Sequence, residues 1–148
     1  MRVKIFVCLL FFLPVITFAQ QRQYSTTDKS AIKYFALANQ SLDESLYDDA
    51  VAQLQKAIDA DDKFIEAHFV LADVYRLMKQ HKPAIAQYLK VIAIDPEFNH
   101  SVYLKIGDEE INLAHYEDAQ QHLEKYLTYP NLTPQNNLLG QKLLADCK

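Results

Sequence analysis

The fold is decided by residues 65–99, which read IEAHFVLADVYRLMKQHKPAIAQYLKVIAIDPEFN. Apolar side chains recur there at intervals of three and four residues, before Pro83 and again after it, which is typical of two amphipathic helices. Ala72 and Ala84 are small enough to let the two helices approach closely. Pro96 ends the pair, because proline is tolerated near a helix start but not inside a helix. The stretch therefore predicts one helix-turn-helix unit.

The same pattern returns before and after this stretch. Units that begin at Ala31, Ile65 and His100 follow one another after 34 and 35 residues. A period of about 20 to 50 residues is the signature of stacked repeats, so a repeat protein is predicted. The matched positions are rings at the fourth (Tyr34, His68, Tyr103) and seventeenth (Tyr47, His81, Tyr116), large side chains at the seventh (Leu37, Leu71, Ile106) and twenty-fourth (Leu54, Tyr88, Leu123), and small residues at the eighth (Ala38, Ala72, Gly107) and twentieth (Ala50, Ala84, Ala119).

These residues resemble the tetratricopeptide repeat (TPR), whose consensus is followed most closely by Leu71, Ala72, Tyr75, Ala84, Tyr88 and the Asp95-Pro96 turn. The resemblance covers residues 31–133 and implies an all-α fold, a right-handed TPR α-solenoid of three helix-turn-helix repeats. The repeats are expected at 31–64, 65–99 and 100–133. A capping helix is expected at 134–148, where Thr133 and Pro134 have the types preferred at a helix start.

Seven helices are expected in all, and the leucines of the last would cover the final apolar face of the stack. Residues 20–30 are polar, lack an apolar period and are predicted to be a linker. The helices are expected near residues 28–42, 47–60, 63–78, 82–94, 98–113, 116–128 and 134–147.

The first 19 residues have the order of a signal peptide. Arg2 and Lys4 precede a run of 15 uncharged residues, and Thr17 and Ala19 place small residues before a cut at Gln20. The run is shorter than the roughly 20 apolar residues that a membrane-spanning helix needs, and an uncleaved anchor is the alternative. The protein is therefore expected to be exported to the periplasm, where outer-membrane association is a further option, with no integral membrane span after cleavage.

Composition excludes several classes of function. Fifteen basic side chains less Arg2 and Lys4, against nineteen acidic ones, leave the mature chain with a net charge of −6. A nucleic-acid binder needs a basic face, so none is expected. The chain has only two glycines, Gly107 and Gly140, too few for a phosphate-binding loop or a nucleophile elbow.

Catalytic, cofactor and metal sites are not expected either. No two histidines are four residues apart and no cysteine stands near one, so the zinc-binding spacings are missing. His68 and His81 fall on packing positions of the repeat. Asp108, Glu109 and Glu110 form an acidic run, which is expected to be a solvated helix face rather than a metal or acid–base site.

The expected functional surface is the concave groove of the solenoid. In the TPR family, certain positions of each first helix face this groove, and an apolar row beside an amide-and-carboxylate row would suit an extended or helical peptide with apolar anchors and basic flanks. The alternative for Phe35 and Phe69 is packing between helices. A clamp for a C-terminal carboxylate is not expected, because Phe35 and Val70 replace polar ligands although Asn39 and Lys105 match. The predicted protein-binding residues are Phe35, Asn39, Leu42, Phe69, Asp73, Arg76, Leu104, Asp108 and Ile111.

The predicted function is a non-enzymatic scaffold or adaptor of the bacterial cell envelope that binds a peptide or protein segment. The export signal, the three-unit array and the ending from Lys125 to Cys147 also resemble the N-terminal region of larger Gram-negative envelope proteins. Those continue into a β-propeller and a peptidoglycan-binding domain of outer-membrane-protein-A type, and some tether secretion machinery to the cell wall. An N-terminal fragment of such a protein is the alternative, and a helical-repeat enzyme or ligand-binding protein is less favoured.

Overall fold

The computed structural model describes residues 24–148, and every regular element in that range is an α-helix. The predicted leader, residues 1–19, lies outside the described residues. No helix between residues 24 and 148 is long and apolar enough to cross a membrane. The helices are α1 (Lys29–Asp43), α2 (Tyr47–Ala60), α3 (Ile65–Leu77), α4 (His81–Ile94), α5 (Ser101–Asn112), α6 (Tyr116–Leu127) and α7 (Pro134–Asp146).

The first six helices pack as three successive pairs, α1 with α2, α3 with α4 and α5 with α6. Each pair also packs on the next, and α7 packs mainly on α6. The all-α class and the paired arrangement are confirmed. The largest difference in helix limits is at α5, expected from residue 98 and observed from Ser101. There the Ser101 amide donates to Asn99 Oδ1 at 3.0 Å, a local side-chain turn that delays the helix.

The turn inside each pair has the same position and backbone conformation in all three units. Ser45, Lys79 and Ala114 have positive φ values of 60°, 57° and 58°, and each is the fifteenth residue of its unit. The amide that follows each of them donates to a carbonyl five residues back, for example Gln80 N to Tyr75 O at 2.8 Å. This is the bond that closes a helix after a left-handed residue. None of the three residues is glycine, so the turn leaves no glycine signal in the sequence.

Small residues sit where the paired helices approach. The matched alanines of the eighth and twentieth positions are fully buried, as are the large side chains at the twenty-fourth. A Cβ atom added to Gly107 would lie 2.6 Å from Leu123 Cγ, closer than two carbon atoms can pack. Burial at the seventh position differs between the units, because Leu37 is 38% exposed whereas Leu71 is buried. Leu71 packs toward α2 of the preceding unit, and among the described residues no unit precedes α1.

The last helix covers the stack differently from the expectation. A Cβ at Gly140 would lie 2.9 Å from Leu127 Cδ2, so the α7 backbone approaches α6 very closely at this glycine. Leu138 is 68% exposed and Leu139 is exposed as well, so these two leucines do not cover the final face. Leu143 and Leu144 are half-buried. The close approach at Gly140 turns the side of α7 that carries Leu138 toward solvent.

Candidate functional site

The predicted binding residues lie on the first helices α1, α3 and α5, and charged pairs bring α3 and α5 together. Lys105 Nζ is 2.5 Å from Asp73 Oδ1. Arg76 Nη1 is 3.7 Å from Asp108 Oδ2, and these two side chains remain 41% and 39% exposed. The carboxylate row therefore faces two cations of the same surface, so its charge is already largely balanced.

Phe69 is the aromatic centre of this surface. Its ring centroid lies 6.2 Å from that of Tyr88 and 6.0 Å from that of Phe98, both edge-on. Lys105 Nζ stands 4.4 Å from the Phe69 centroid, within cation–π range. Phe69 is half-buried, so part of the ring remains open to solvent. Lys105 and Phe98 complete this arrangement and were not among the predicted binding residues.

Asp73 is less available to the basic flanks of a partner than its position in the unit suggests. Besides the ammonium of Lys105, it accepts a hydrogen bond from the hydroxyl of Tyr88. Burial, and then the bond to Asp73, raise the pKa of Tyr88 well above its ordinary value, so the phenol stays a donor. A basic partner group would have to compete with both donors. Asp108, whose single pair is longer and more exposed, is the more available carboxylate.

The α1 end of the surface is closed. Phe35 is only 5% exposed and belongs to the core, its ring centroid 4.9 Å from Phe64 and 5.4 Å from Tyr24. The packing alternative therefore describes Phe35 better than an exposed row does. Asn39 and Leu42 are half-buried on the same helix. On α5, Leu104 and Ile111 are half-buried, so the accessible part of the apolar row runs over α3 and α5.

Tyr24 packs on Phe35, and we call its segment, residues 24–28, the N-terminal clasp. The Ser25 amide donates to Glu66 Oε1 at 3.0 Å, which joins the start of the described chain to α3. A hydrogen bond from Thr26, itself buried, lowers the pKa of the Asp61 carboxyl. Residues 24–28 of the expected polar linker, residues 20–30, are thus held by packed and hydrogen-bonded side chains, and residues 29 and 30 belong to α1.

The expectation of a solvated acidic face on α5 is wrong for two of its three residues. Glu109 and Glu110 are only 2% and 5% exposed, and each meets a histidine of a second helix. His81 Nδ1 lies 2.5 Å from Glu109 Oε2, and His122 Nδ1 lies 2.9 Å from Glu110 Oε2. The bond to Glu110 raises the pKa of the His122 imidazole above its ordinary value. Burial without a partner would be costly for either carboxylate, so these pairs are structural contacts between helices.

Between residues 24 and 148 the candidate metal ligands are scattered, and the thiol of Cys147 has a raised pKa. No group of three or more histidine, cysteine or carboxylate side chains is placed to hold a metal ion in that part of the chain. Cys147 donates to Leu143 O at 3.3 Å, and burial raises the pKa of its thiol. A protonated thiol is a poor nucleophile. The α3–α5 surface is therefore the best candidate for a binding site.

Comparison with known proteins agrees with this architecture. The family model described as tetratricopeptide repeat matches residues 65–98, and no curated protein matches the chain. The first TPR of Spaghetti (RPAP3) bound to the HSP90 peptide SRMEEVD is 20% identical, covers 81% of this chain and 91% of its own, and has a TM-score of 0.68. The TPR2B domain of yeast Sti1 in its pHsp70 complex is 18% identical, with coverages of 80% and 95% and a TM-score of 0.67.

A crystal structure of the MamA protein is 27% identical, with a TM-score of 0.64. It covers 73% of this chain, whereas the match spans 63% of MamA. Together with the matched repeat, these neighbours show that the chain has the TPR fold.

Proposed function

We propose that this TPR chain is a non-enzymatic adaptor that binds a segment of a partner protein on the α3–α5 surface. The observation that carries the proposal is the partly exposed ring of Phe69, bordered by the Asp73–Lys105 and Arg76–Asp108 pairs. An apolar anchor with polar groups around it is the usual form of a peptide-binding groove. The RPAP3 and Sti1 neighbours were solved with peptide or pHsp70 partners, which supports the same use of the fold here.

The partner segment is proposed to carry apolar anchors, which would contact Phe69, Leu104 and Ile111. Selection of basic flanks is assigned mainly to Asp108, since Asp73 already receives two donors. A clamp on a C-terminal carboxylate is not proposed. Lys105, the cation such a clamp would use, is paired with Asp73 and lies over an aromatic ring.

The place of action is proposed from the leader. Export to the periplasm, with outer-membrane association, would put the adaptor in an envelope complex. The basic start, the apolar run and the small residues before Gln20 support this proposal. A region of a larger peptidoglycan-tethering protein is the second candidate, supported by the likeness of the short exported array to such proteins. An enzymatic role is not proposed, because Cys147, which shares a pocket with His115, has a raised thiol pKa and is therefore a poor nucleophile.

Removing the central ring should weaken partner binding. Phe69→Ala is expected to lower affinity by more than about 1 kcal/mol, because a central aromatic anchor often dominates an interface. The measurement is capture of the partner from envelope extract with the wild-type protein, followed by titration of that partner against each variant. Leu89→Ala, an exposed leucine on α4, is the matched control and should bind as the wild type does.

Asp108→Asn should alter mainly the association rate and its salt dependence, because exposed charges steer encounters more than they hold complexes. A partner that binds Phe69→Ala with wild-type affinity, while circular dichroism shows the variant folded, would place the interface elsewhere. The exposed Leu138 side of α7 would then be examined next.

Cleavage of the proposed signal peptide can be tested separately from partner binding. Periplasmic material is expected to begin at Gln20, because cleavage after Ala19 satisfies the small-residue rule at both required positions. Intact mass measurement distinguishes this product from the full chain. Recovery of protein that still carries residues 1–19 would contradict the proposed processing.

A further inference from the structure

The N-terminal clasp supplies a cap that α3 lacks. The N-cap residue of α3 is Phe64, whose side chain makes no hydrogen bond to the first turn. Instead the Ile65 amide donates to Ser25 Oγ at 3.1 Å, and the Ser25 hydroxyl donates to Glu66 Oε2 at 2.5 Å. A free amide at a helix start needs an acceptor, and here a residue 40 positions away in the chain provides it.

The first two units carry the same aromatic pair, and comparison of the two shows what the clasp replaces. Position 34 packs on position 5 in both, Phe64 on Phe35 with centroids 4.9 Å apart and Phe98 on Phe69 with centroids 6.0 Å apart. In the first unit Tyr24 adds a third ring, 5.4 Å from Phe35 and 5.7 Å from Phe64. In the second unit no aromatic ring of residues 24–64 covers the pair, and Phe69 stays partly exposed beside Lys105.

We propose that residues 24–26 are an intramolecular ligand that closes the α1 end of the binding surface. The site they fill consists of Phe35, Phe64, Glu66 and the Ile65 amide. Its chemistry fits an extended segment with an aromatic side chain followed by a hydroxyl residue. A partner segment that reaches Phe35 must have that chemistry and must displace Tyr24 and Ser25. The inference rests on the proposed function only in that partners bind this face of the solenoid.

The contacts of the clasp suit an exchangeable segment. Ser25 is exposed and Tyr24 is half-buried, so Thr26 is the one residue of the three that is buried. The bonds between Ser25 and Glu66 are solvent-exposed. Local opening of such a segment requires only a few contacts to break and leaves the paired helices intact. Because the clasp is covalently attached to α1, its effective concentration exceeds that of a competing peptide at ordinary dose.

The test uses a peptide that copies residues 20–28, QQRQYSTTD, as the probe. The double variant Tyr24→Ala/Ser25→Ala should bind it saturably, with chemical-shift changes at Phe35 and Glu66, whereas the wild type should not bind it. A peptide with alanine at its tyrosine should bind about tenfold more weakly, because the ring contacts are lost. Exchange of the Ile65 amide should accelerate about fivefold in the double variant, since its acceptor is removed.

Thr27→Ala, at an exposed clasp position, is the control and should leave the peptide excluded. Ser25→Ala alone provides the exchange measurement if the double variant loses helical signal. Equal peptide binding by wild type and double variant, no binding by either, or unchanged Ile65 exchange would each overturn the inference. The probe is part of this chain, so these outcomes do not depend on whether Phe69 binds a partner.

Discussion

Ala84→Leu is expected to lower the free energy of unfolding by about 1–3 kcal/mol. Ala84 is fully buried on α4 and shares one apolar cluster with Ala72 and Tyr88. Three additional carbon atoms at this point force the helices of the middle pair apart or push side chains off their preferred rotamers. Chemical denaturation followed by circular dichroism measures the change.

The matched control is Ala86→Leu, the same substitution at an exposed position of the same helix. It should stay within about 0.5 kcal/mol of the wild type. Gln87 of the same helix is unsuitable as a control because its Oε1 lies 2.7 Å from Nδ1 of the buried His68. Equal stability of Ala84→Leu and wild type would mean that the helices do not meet at this position.

His81→Leu is expected to destabilise the protein by about 2 kcal/mol, less than a fully buried pair would lose because the imidazole is partly exposed. Leucine keeps about the same volume but removes the ring nitrogen that meets Glu109. The buried carboxylate is then left with Arg76, whose Nε is 3.9 Å away. Thermal and denaturant unfolding of the variant measure the loss.

Glu109→Gln should recover part of this loss in the His81→Leu background, because it removes a buried charge that only the distant Arg76 still balances. The resulting double-mutant cycle should give a coupling energy of at least about 0.5 kcal/mol. His115→Leu, at an exposed histidine, controls for the loss of an imidazole. Additive effects of the two substitutions would show that the short contact contributes nothing to folding.

The fold could be predicted because the same packing residues recur in three units. Ala84 and Ala119 recur where helices meet, and local periodicity is enough to place them. The burial of Glu109 and Glu110 could not be predicted in that way, since their partners come from other helices. His81 lies 28 residues before Glu109, and no local pattern records such a pair. The sequence contains one sign that Glu110 is buried, because this residue stands at the eleventh position, where the second unit has Tyr75.

The binding surface was predicted in part for the same reason. The unit register places Phe69, Asp73 and Asp108 on the first helices, but it does not show which cations face them. Closure of the α1 end was missed because residues 24–28 have no apolar period, and their bonds to α3 cross about one whole unit of chain. Side-chain pairing between units is tertiary information, and one unit read alone does not contain it.

The clasp affects the order in which the helices unfold. It ties the amino end to α3 through Ser25 and Glu66, so α1 cannot fray without breaking contacts of the second unit. At the carboxyl end, α7 buries only Gly140 and has no comparable tie within the described residues. In a solenoid each unit is stabilised mainly by its neighbours, so loss of structure spreads from the weaker end. Within residues 24–148, unfolding is therefore expected to begin at α7 and to proceed toward α1.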